Sequence, residues 1–165
     1  AGGTEANANT IPSVTVPFAM TQFTPQTRQS ENKCVPPYLY KDSLFSGFRA
    51  THWISGSCTQ DYGSFTIMPV VGKLKTAVND YAIPFSHANE ITTPAYYKLH
   101  FPNKNLIAEL TATARCGVMR FTMLQDDSLY ILVTPNSDYA TCTAAVNAAT
   151  DRPFNPVGKK VSTAE

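Results

Sequence analysis

The sequence lacks several features that would point to a common functional class. Its 165 residues carry 13 Lys and Arg against 12 Asp and Glu, and neither sign gathers into a run. Binding to nucleic acid or to a membrane surface is therefore not predicted, because either partner needs clustered positive charge. No apolar stretch approaches the ~20 residues that span a bilayer. The opening AGGTEANANT has neither the basic start nor the apolar centre of a signal peptide, so export cannot be read from it.

The residue patterns typical of metal and thiol sites are also missing. The four cysteines lie far apart without a C-x-x-C pair, at Cys34, Cys58, Cys116 and Cys142. The histidines are scattered, at His52, His87 and His100. This spacing disfavours a zinc site and thioredoxin-like chemistry, and leaves one or two disulfides in any of three full pairings. There is also no G-x-S-x-G nucleophile turn.

The sequence does contain β-type alternation through most of its length. With 43% hydrophobic residues, it has the size and balance of one globular domain, 1–165, with a real core. Period-2 runs rich in β-branched and aromatic residues mark the candidate strands. These are 13–24, 43–53, 64–76, 95–102, 106–124 and 128–135. We predict a mainly β protein, an antiparallel two-layer β-sandwich.

Some details of this sandwich can also be predicted. In LIAELTATAR, the residues Leu106, Ala108, Leu110, Ala112 and Ala114 share one face, which belongs in a core. The run SLYILVTP is apolar on both faces and predicts a central strand. PNKN and QDDS are predicted turns. The segment 136–165 allows either a short helix or a weak strand followed by a loop.

Four carboxylates are candidates for glycosidase chemistry, which uses two such groups around a sugar bond. They are Asp42, Asp61, Glu90 and Glu109. Each has a plainer interpretation: Glu109 alternates with threonines toward Arg115, as on a solvated strand face, and Asp61 suits a turn before Gly63. For FSHANE, 85–90, the favoured interpretation is a capped loop.

The stretch THWISGSCTQDYG, 51–63, combines the only tryptophan with a histidine, a cysteine and an aspartate. Trp53 stands among small polar residues, a setting that suits a ring stacked on a sugar with its indole N–H free to pair. Core packing and ligand contact are equally supported for Trp53, and similarly for His52.

Blocks of the sequence, taken in order, resemble the N-terminal domain of glycoside hydrolase family 92, the calcium-dependent α-mannosidases. The blocks are NTIPSVTVPFAMTQFTPQT, GFRATHWISGSCTQDYG, IMPVVG, FSHANE, TPAYYKLHF, AELTATARCGVMRFT and VTPNSD. The resemblance covers about Gly2 to Asp138. Trp53 stands where many members carry an aliphatic residue, and Ser57-Cys58 replaces a more glycine-rich pair, which implies a subgroup with its own sugar specificity.

The resemblance implies a supersandwich-like domain that packs on a catalytic (α/α)₆ barrel not present in this chain. In the family the acid, the base and most calcium ligands belong to that barrel, so no catalytic or metal residue, and no cofactor of its own, is expected here. The implied partners are a mannose-containing glycan and the barrel of the same polypeptide. The implied enzyme is an exported, exo-acting, inverting α-mannosidase of α-1,2 type.

The residues that the resemblance places in the sugar pocket fall on two loops. Those on the first loop are Thr51, His52, Trp53, Ser55, Gly56, Ser57, Asp61 and Tyr62. GGTEANAN resembles a second pocket loop, with Gly3 and Thr4. Two other hypotheses are a free-standing carbohydrate-binding sandwich with Trp53 as a stacking platform, and a purely structural interaction domain.

Overall fold

The computed structural model describes residues 10–28, 36–54 and 65–135. Within them the chain forms ten short strands and one helical turn, α1 (Val78–Tyr81). The strands are β1 (Gln22–Gln26), β2 (Leu44–Phe45), β3 (Gly47–Thr51), β4 (Phe65–Val71), β5 (Ile83–Pro84), β6 (Glu90–Thr93), β7 (Tyr96–Phe101), β8 (Leu106–Ala112), β9 (Gly117–Met123) and β10 (Leu129–Pro135). Two 3₁₀ turns lie at His87–Asn89 and Pro102–Lys104.

The strands form two four-stranded sheets. The first sheet has the order β1-β3-β4-β10, the second sheet has the order β6-β7-β8-β9, and β2 pairs with β5 as a small ribbon. All of these pairings are antiparallel. The predicted antiparallel β-sandwich is confirmed. No helix in the described ranges is long and apolar enough to span a membrane.

The core lies between the two sheets. Phe48 of β3 meets Tyr97 of β7 edge-on, with ring centroids 5.8 Å apart, and Phe121 of β9 at 6.3 Å. The predicted core face of β8 is confirmed at Leu106, Ala108 and Leu110, which are at most 1% exposed. Burying such side chains contributes about 1.5–3 kcal/mol each for the larger ones, which is what makes strict alternation a reliable signal.

Two strand predictions need correction, and with them one end of a predicted core face. The proposed strand 13–24 is mostly irregular: only the isolated bridge of Val14 with Phe23 precedes β1. The proposed strand 106–124 is a hairpin, because the chain reverses after Ala112, where Thr113 N donates to the Cys116 carbonyl. The end of the sequence pattern at Ala114 is therefore exposed rather than in the core.

The strand β10 is not central among the described strands. It pairs with β4 and ends the order of the first sheet, and its Ile131 is 42% exposed. Apolar residues on both faces are compatible with either position, so this pattern could not locate the strand. The predicted turns PNKN and QDDS are confirmed, the first as a 3₁₀ turn followed by left-handed Asn105.

Candidate functional site

The predicted pocket loop starts where β3 ends, at Thr51. The Thr51 side chain is fully buried, and its Oγ1 accepts a hydrogen bond from the backbone N–H of Trp53 at 3.0 Å. Threonine hydroxyls commonly stabilise a turn by accepting from the backbone two residues on. The strand therefore ends in a turn in which the Thr51 side chain holds the backbone of Trp53.

Trp53 is buried but its polar atom is not satisfied. The residue is 6% exposed, and its indole Nε1 has no hydrogen-bond partner among the residues that the structure describes. A buried donor without an acceptor costs about 1–3 kcal/mol, so native proteins leave few of them. The N–H is thus available to an acceptor from outside the chain, while the buried ring offers little face for stacking.

His52 connects the start of this loop to the segment before β1. Its Nε2 lies 3.4 Å from Oγ1 of Thr21, and the ring is half-buried. Thr51, His52 and Trp53 are therefore together at one end of the first sheet. The other predicted pocket residues lie outside the described residues, and their roles stay predictions: Gly3, Thr4, Ser55, Gly56, Ser57, Asp61 and Tyr62.

One face of the first sheet carries a row of buried polar side chains. The strand registers place on it Thr24, Gln26, Arg49, Thr51 and Thr66, each of them at most 2% exposed. Thr66 Oγ1 donates to Gln26 Oε1 at 2.8 Å. Sequence reasoning missed this face, although the alternation in GFRAT, with Phe48 and Ala50 opposite it, contained the signal. The row ends at Thr51, so a polar sheet face leads into the predicted loop.

Glu90 is the centre of a buried hydrogen-bond network. Its carboxylate accepts from the hydroxyls of Tyr97 at 2.6 Å and Tyr38 at 3.1 Å, and lies 2.7 Å from His87 Nδ1. His87 Nε2 lies 2.7 Å from the Tyr40 carbonyl, and the Tyr40 ring stacks on the imidazole at 3.9 Å. Both ring nitrogens of His87 therefore lie within hydrogen-bond distance of an oxygen atom.

The tyrosines of this network stay protonated and donate. Burial, followed by the charge of Glu90, raises the pKa of both Tyr38 and Tyr97 well above the ordinary value. Only 7% of the Glu90 side chain is exposed. The prediction of a capped loop at FSHANE is confirmed, because Ser86 Oγ accepts from the Ala88 N–H. The Glu90 carboxylate is buried and already bound by these neighbours, which is the arrangement of a structural residue rather than of a sugar ligand.

The other two candidate carboxylates that the structure describes, Glu109 and Asp42, are also paired. Glu109 faces Arg120 across the β8–β9 hairpin at 2.6 Å, rather than Arg115 as predicted, and accepts from the Tyr96 hydroxyl at 2.6 Å. Asp42 binds Arg28 at 2.8 Å. Burial alone would raise the pKa of Asp42, but the hydrogen bonds from Arg28 and Thr27 outweigh it and lower that pKa.

The interaction of Glu109 with Arg120 is expected to stabilise the fold by an amount that depends on pH. Hydrogen bonds from Arg120 and then Tyr96 lower the pKa of Glu109 from 4.5 to about 2. A depressed folded pKa stabilises the protein above the unfolded value, and the effect is lost as pH falls from 4.5 toward 2. We expect Glu109→Gln to melt slightly below wild type at neutral pH, with the gap closing toward pH 2. Circular-dichroism melts across this range would contradict the prediction if the gap stayed constant.

The described residues do not fit a calcium ion. No group of three or more His, Cys, Asp or Glu side chains converges in the part of the chain that the structure describes. The carboxylate oxygens of Glu90 and Glu109 already accept from hydroxyl and cationic donors, whereas calcium requires six to eight free oxygen ligands. Of the cysteines, Cys116 is described, and it is exposed and free.

A comparison of the sequence with known protein families gives the family of this chain. The model of the glycosyl hydrolase family 92 N-terminal domain matches residues 2–156. The chain belongs to glycosyl hydrolase family 92. The resemblance of the sequence blocks is thereby confirmed, and the match extends beyond Asp138, where those blocks end. A search of curated protein sequences with this chain found no match.

Solved structures agree with this assignment. An inverting mannosidase of family GH92 from Bacteroides thetaiotaomicron is 39% identical, with a TM-score of 0.69 over 76% of this chain. An α-mannosidase of the same family and organism is 29% identical, with a TM-score of 0.67 over 77% of the chain. It also matches in complex with mannoimidazole, over 78% of the chain. The family 92 domain spans only 17–18% of these relatives.

Proposed function

We propose that this chain is the N-terminal, pocket-completing domain of an exported, exo-acting α-mannosidase of α-1,2 type. The enzyme inverts configuration and depends on calcium. The observation that carries the proposal is the family match over residues 2–156, joined to the buried, unpaired indole N–H of Trp53 at the start of the predicted pocket loop. The solved relatives named as mannosidases support the choice of sugar.

The two catalytic carboxyl groups of the proposed enzyme belong to a helical domain. An inverting mechanism needs a carboxylic acid at the leaving oxygen and a carboxylate that activates water on the opposite sugar face, roughly 6.5–9.5 Å apart. Here Glu90, Glu109 and Asp42 each hold hydrogen bonds from their neighbours. A carboxylate bound to an arginine or buried under tyrosines is neither a ready acid nor a free base.

The sandwich domain binds and orients the mannose. The Trp53 indole N–H donates to a sugar hydroxyl, and the turn held by Thr51 keeps the ring still while it does so. His52 lines the same end of the first sheet and stays in place through Thr21. Calcium would be held by the helical domain, where it supplies charge and coordination that help to distort the sugar ring. In this division of roles, the end of the first sheet binds the sugar through Trp53 and His52, and the helical domain supplies the acid and the base.

The proposal predicts that the 165-residue chain alone does not hydrolyse mannosides, whereas the full-length gene product does. In that full-length enzyme, Trp53→Phe keeps the ring but removes the donor, and we expect about a tenfold fall in kcat/KM, the value of one hydrogen bond. Tyr130→Phe serves as the matched control, because Tyr130 pairs with Val70, at the end of β4 away from Phe65 and Ala50. Hydrolysis by the chain alone, or an unchanged Trp53→Phe enzyme, would contradict the proposal.

The alternative of a free-standing carbohydrate-binding module has less support. Such a module stacks sugars on exposed aromatic faces, but Trp53 is 6% exposed. Titration of mannose against the isolated chain separates the two functions: a clear isotherm that Trp53→Phe preserves and Trp53→Ala removes favours a stacking module. An isolated half-pocket gives no measurable isotherm with any of these proteins.

A further inference from the structure

A polar cleft lies at the end of the first sheet that is opposite the predicted pocket loop. Its volume is about 360 Å³, which is in the range of cavities that hold small molecules. The strand register pairs Phe65, the first residue of β4, with Ala50, next to that loop. The cleft instead takes Val70 and Val71, the last two residues of β4, and Gly72 beyond them. A strand of this length separates its two ends by about 20 Å, so the cleft is a separate site.

The cleft carries positive charge that no described neighbour neutralises. Three lysines line it, Lys73, Lys75 and Lys104, and all three are exposed. Within the described ranges no salt bridge joins a lysine of the cleft to an acidic side chain, including Asp80 and Asp127, which also line it. The lysines therefore outnumber the acidic groups and are not tied to them. A concave surface with an excess of one charge concentrates ligands of the opposite charge, here anions.

The other polar groups of the cleft are suited to hydroxyl groups. Asn103 and Asn105 carry amides, which can both donate and accept hydrogen bonds. Asp80 and Asp127 carry carboxylates, which repel a bare anion but accept from a sugar hydroxyl. The aromatic residue of the lining, Tyr81, is 4% exposed and offers no ring face on which a nucleotide base could stack. The lining therefore favours an anionic sugar over a free anion or a nucleotide.

Hydrogen bonds hold the backbone around the cleft in place. Gly72 N donates to the Ser128 carbonyl at 2.8 Å, which joins the end of β4 to the turn between β9 and β10. Asn105 is in the left-handed region at φ 48°, and its side-chain amide donates to Gln125 at 2.9 Å. Leu124 N donates to the Asn105 carbonyl at 2.7 Å. The walls are thus already formed without a ligand, which reduces the ordering cost of binding.

We propose that this cleft is a second, non-catalytic site, and that it binds an acidic sugar unit, one with a carboxylate beside its hydroxyl groups. The lysines bind the carboxylate of the sugar, and the amides and aspartates of the lining bind its hydroxyls. The site holds an acidic glycan at the end of the sandwich away from the pocket loop. The inference is independent of the proposed function, because binding in the cleft requires no hydrolysis.

Calorimetric titration of the full-length gene product with trigalacturonic acid tests the site. We expect saturable binding that weakens as salt is added, because screening reduces the attraction of the lysines. The double variant Lys73→Gln, Lys104→Gln is expected to bind about tenfold more weakly or worse, since it loses hydrogen bonds to a charged group. The double variant Lys41→Gln, Lys98→Gln is the matched control: it removes the same charge from residues outside the cleft and keeps the wild-type affinity.

Two further ligands separate the sugar from its charge. The same trisaccharide built from neutral galactose units, and acetate, which has a carboxylate without sugar hydroxyls, are each expected to bind at least tenfold more weakly than trigalacturonic acid. Equal binding of the neutral sugar would remove the role of the lysines, and equal binding of acetate would make the cleft a site for free anions. Either result overturns the proposal.

The remaining outcomes also decide the matter. Wild type that does not bind trigalacturonic acid, binding that is insensitive to salt, or an equal loss in both double variants would each overturn the proposal. The lysines of the cleft are exposed, so the variants are expected to melt like wild type, and the salt dependence of wild type requires no variant. A protein that binds trigalacturonic acid but hydrolyses no mannoside would contradict the proposed function and leave the cleft assigned.

Discussion

Replacement of Glu90 by leucine is expected to lower the free energy of unfolding by about 2–6 kcal/mol, roughly 1–3 kcal/mol for each of two buried hydroxyl donors left without an acceptor. The hydroxyls of Tyr97 and Tyr38 both donate to the carboxylate. Nδ1 of His87 lies 2.7 Å from the same carboxylate. Tyr97 is fully buried and Tyr38 is 2% exposed, so water cannot replace the lost acceptor.

Glu90→Gln is expected to be milder, about 1.5–3 kcal/mol by the usual value of a hydrogen bond to a charged group. The glutamine oxygen still accepts from a tyrosine hydroxyl, and the side-chain amide still lies beside the His87 ring, whose Nε2 stays next to the Tyr40 carbonyl. Urea denaturation of each variant, with a constant slope on denaturant, measures the difference. Equal losses for leucine and glutamine would show that size, rather than hydrogen bonding, matters here.

Glu109→Leu is the matched control for this experiment. Glu109 also accepts from a tyrosine at 2.6 Å and pairs with a cation, but its partner Arg120 is 72% exposed. Water can solvate the groups that Glu109 leaves behind, so exposed pairs contribute little. We expect its denaturation midpoint to move far less than that of Glu90→Leu. A comparable loss at both positions would contradict the role assigned to burial.

Replacement of Gly47 by alanine is expected to cost about 2–5 kcal/mol, the sum of backbone strain and overpacking. Gly47 begins β3 with φ +135°, a conformation that side chains rarely adopt. A Cβ there would overlap Cγ2 of Thr66 and approach the Ile67 carbonyl oxygen to 3.0 Å. Thr66 is fully buried and Ile67 is held in the β3–β4 pairing, so neither can move away cheaply.

Gly72→Ala separates the two causes. Gly72 also has a positive φ, +85°, but the nearest atom to an added Cβ is a carboxylate oxygen of Asp127 at 3.7 Å. This variant pays the backbone strain without the clash, and we expect about 1–2 kcal/mol. Thermal melts of the two variants should therefore rank Gly47→Ala well below Gly72→Ala. The reverse order would show that the β3–β4 packing at Gly47 is looser than the distances indicate.

The sandwich could be predicted from the sequence because burial imposes period-2 alternation on each strand. Leu106, Ala108 and Leu110 follow that rule and are buried. The same alternation continues through the turn between β8 and β9, because a hairpin reverses the chain without interrupting the pattern. The prediction of a single strand over 106–124 was therefore wrong. The ribbon strands at 44–45 and 83–84 are too short to show any period.

The candidate site could be predicted from the sequence only in part. Residue types and order placed Thr51, His52 and Trp53 at the start of a loop, and the structure confirms that β3 ends at Thr51. The types left Trp53 equally balanced between core and ligand contact. The structure shows a buried ring with an unpaired indole N–H, a combination that no local pattern encodes.

The sequence by itself determined the β class and the family, since these depend on alternation and on residues close together in order. Tertiary structure alone decided which carboxylates are already paired and which apolar residues remain uncovered. Glu90 accepts from Tyr38 across 52 positions, and the backbone N–H of Met20 donates to the carbonyl of Ala114. Contacts over such separations arise from strand register and sheet packing, which no stretch of sequence specifies alone.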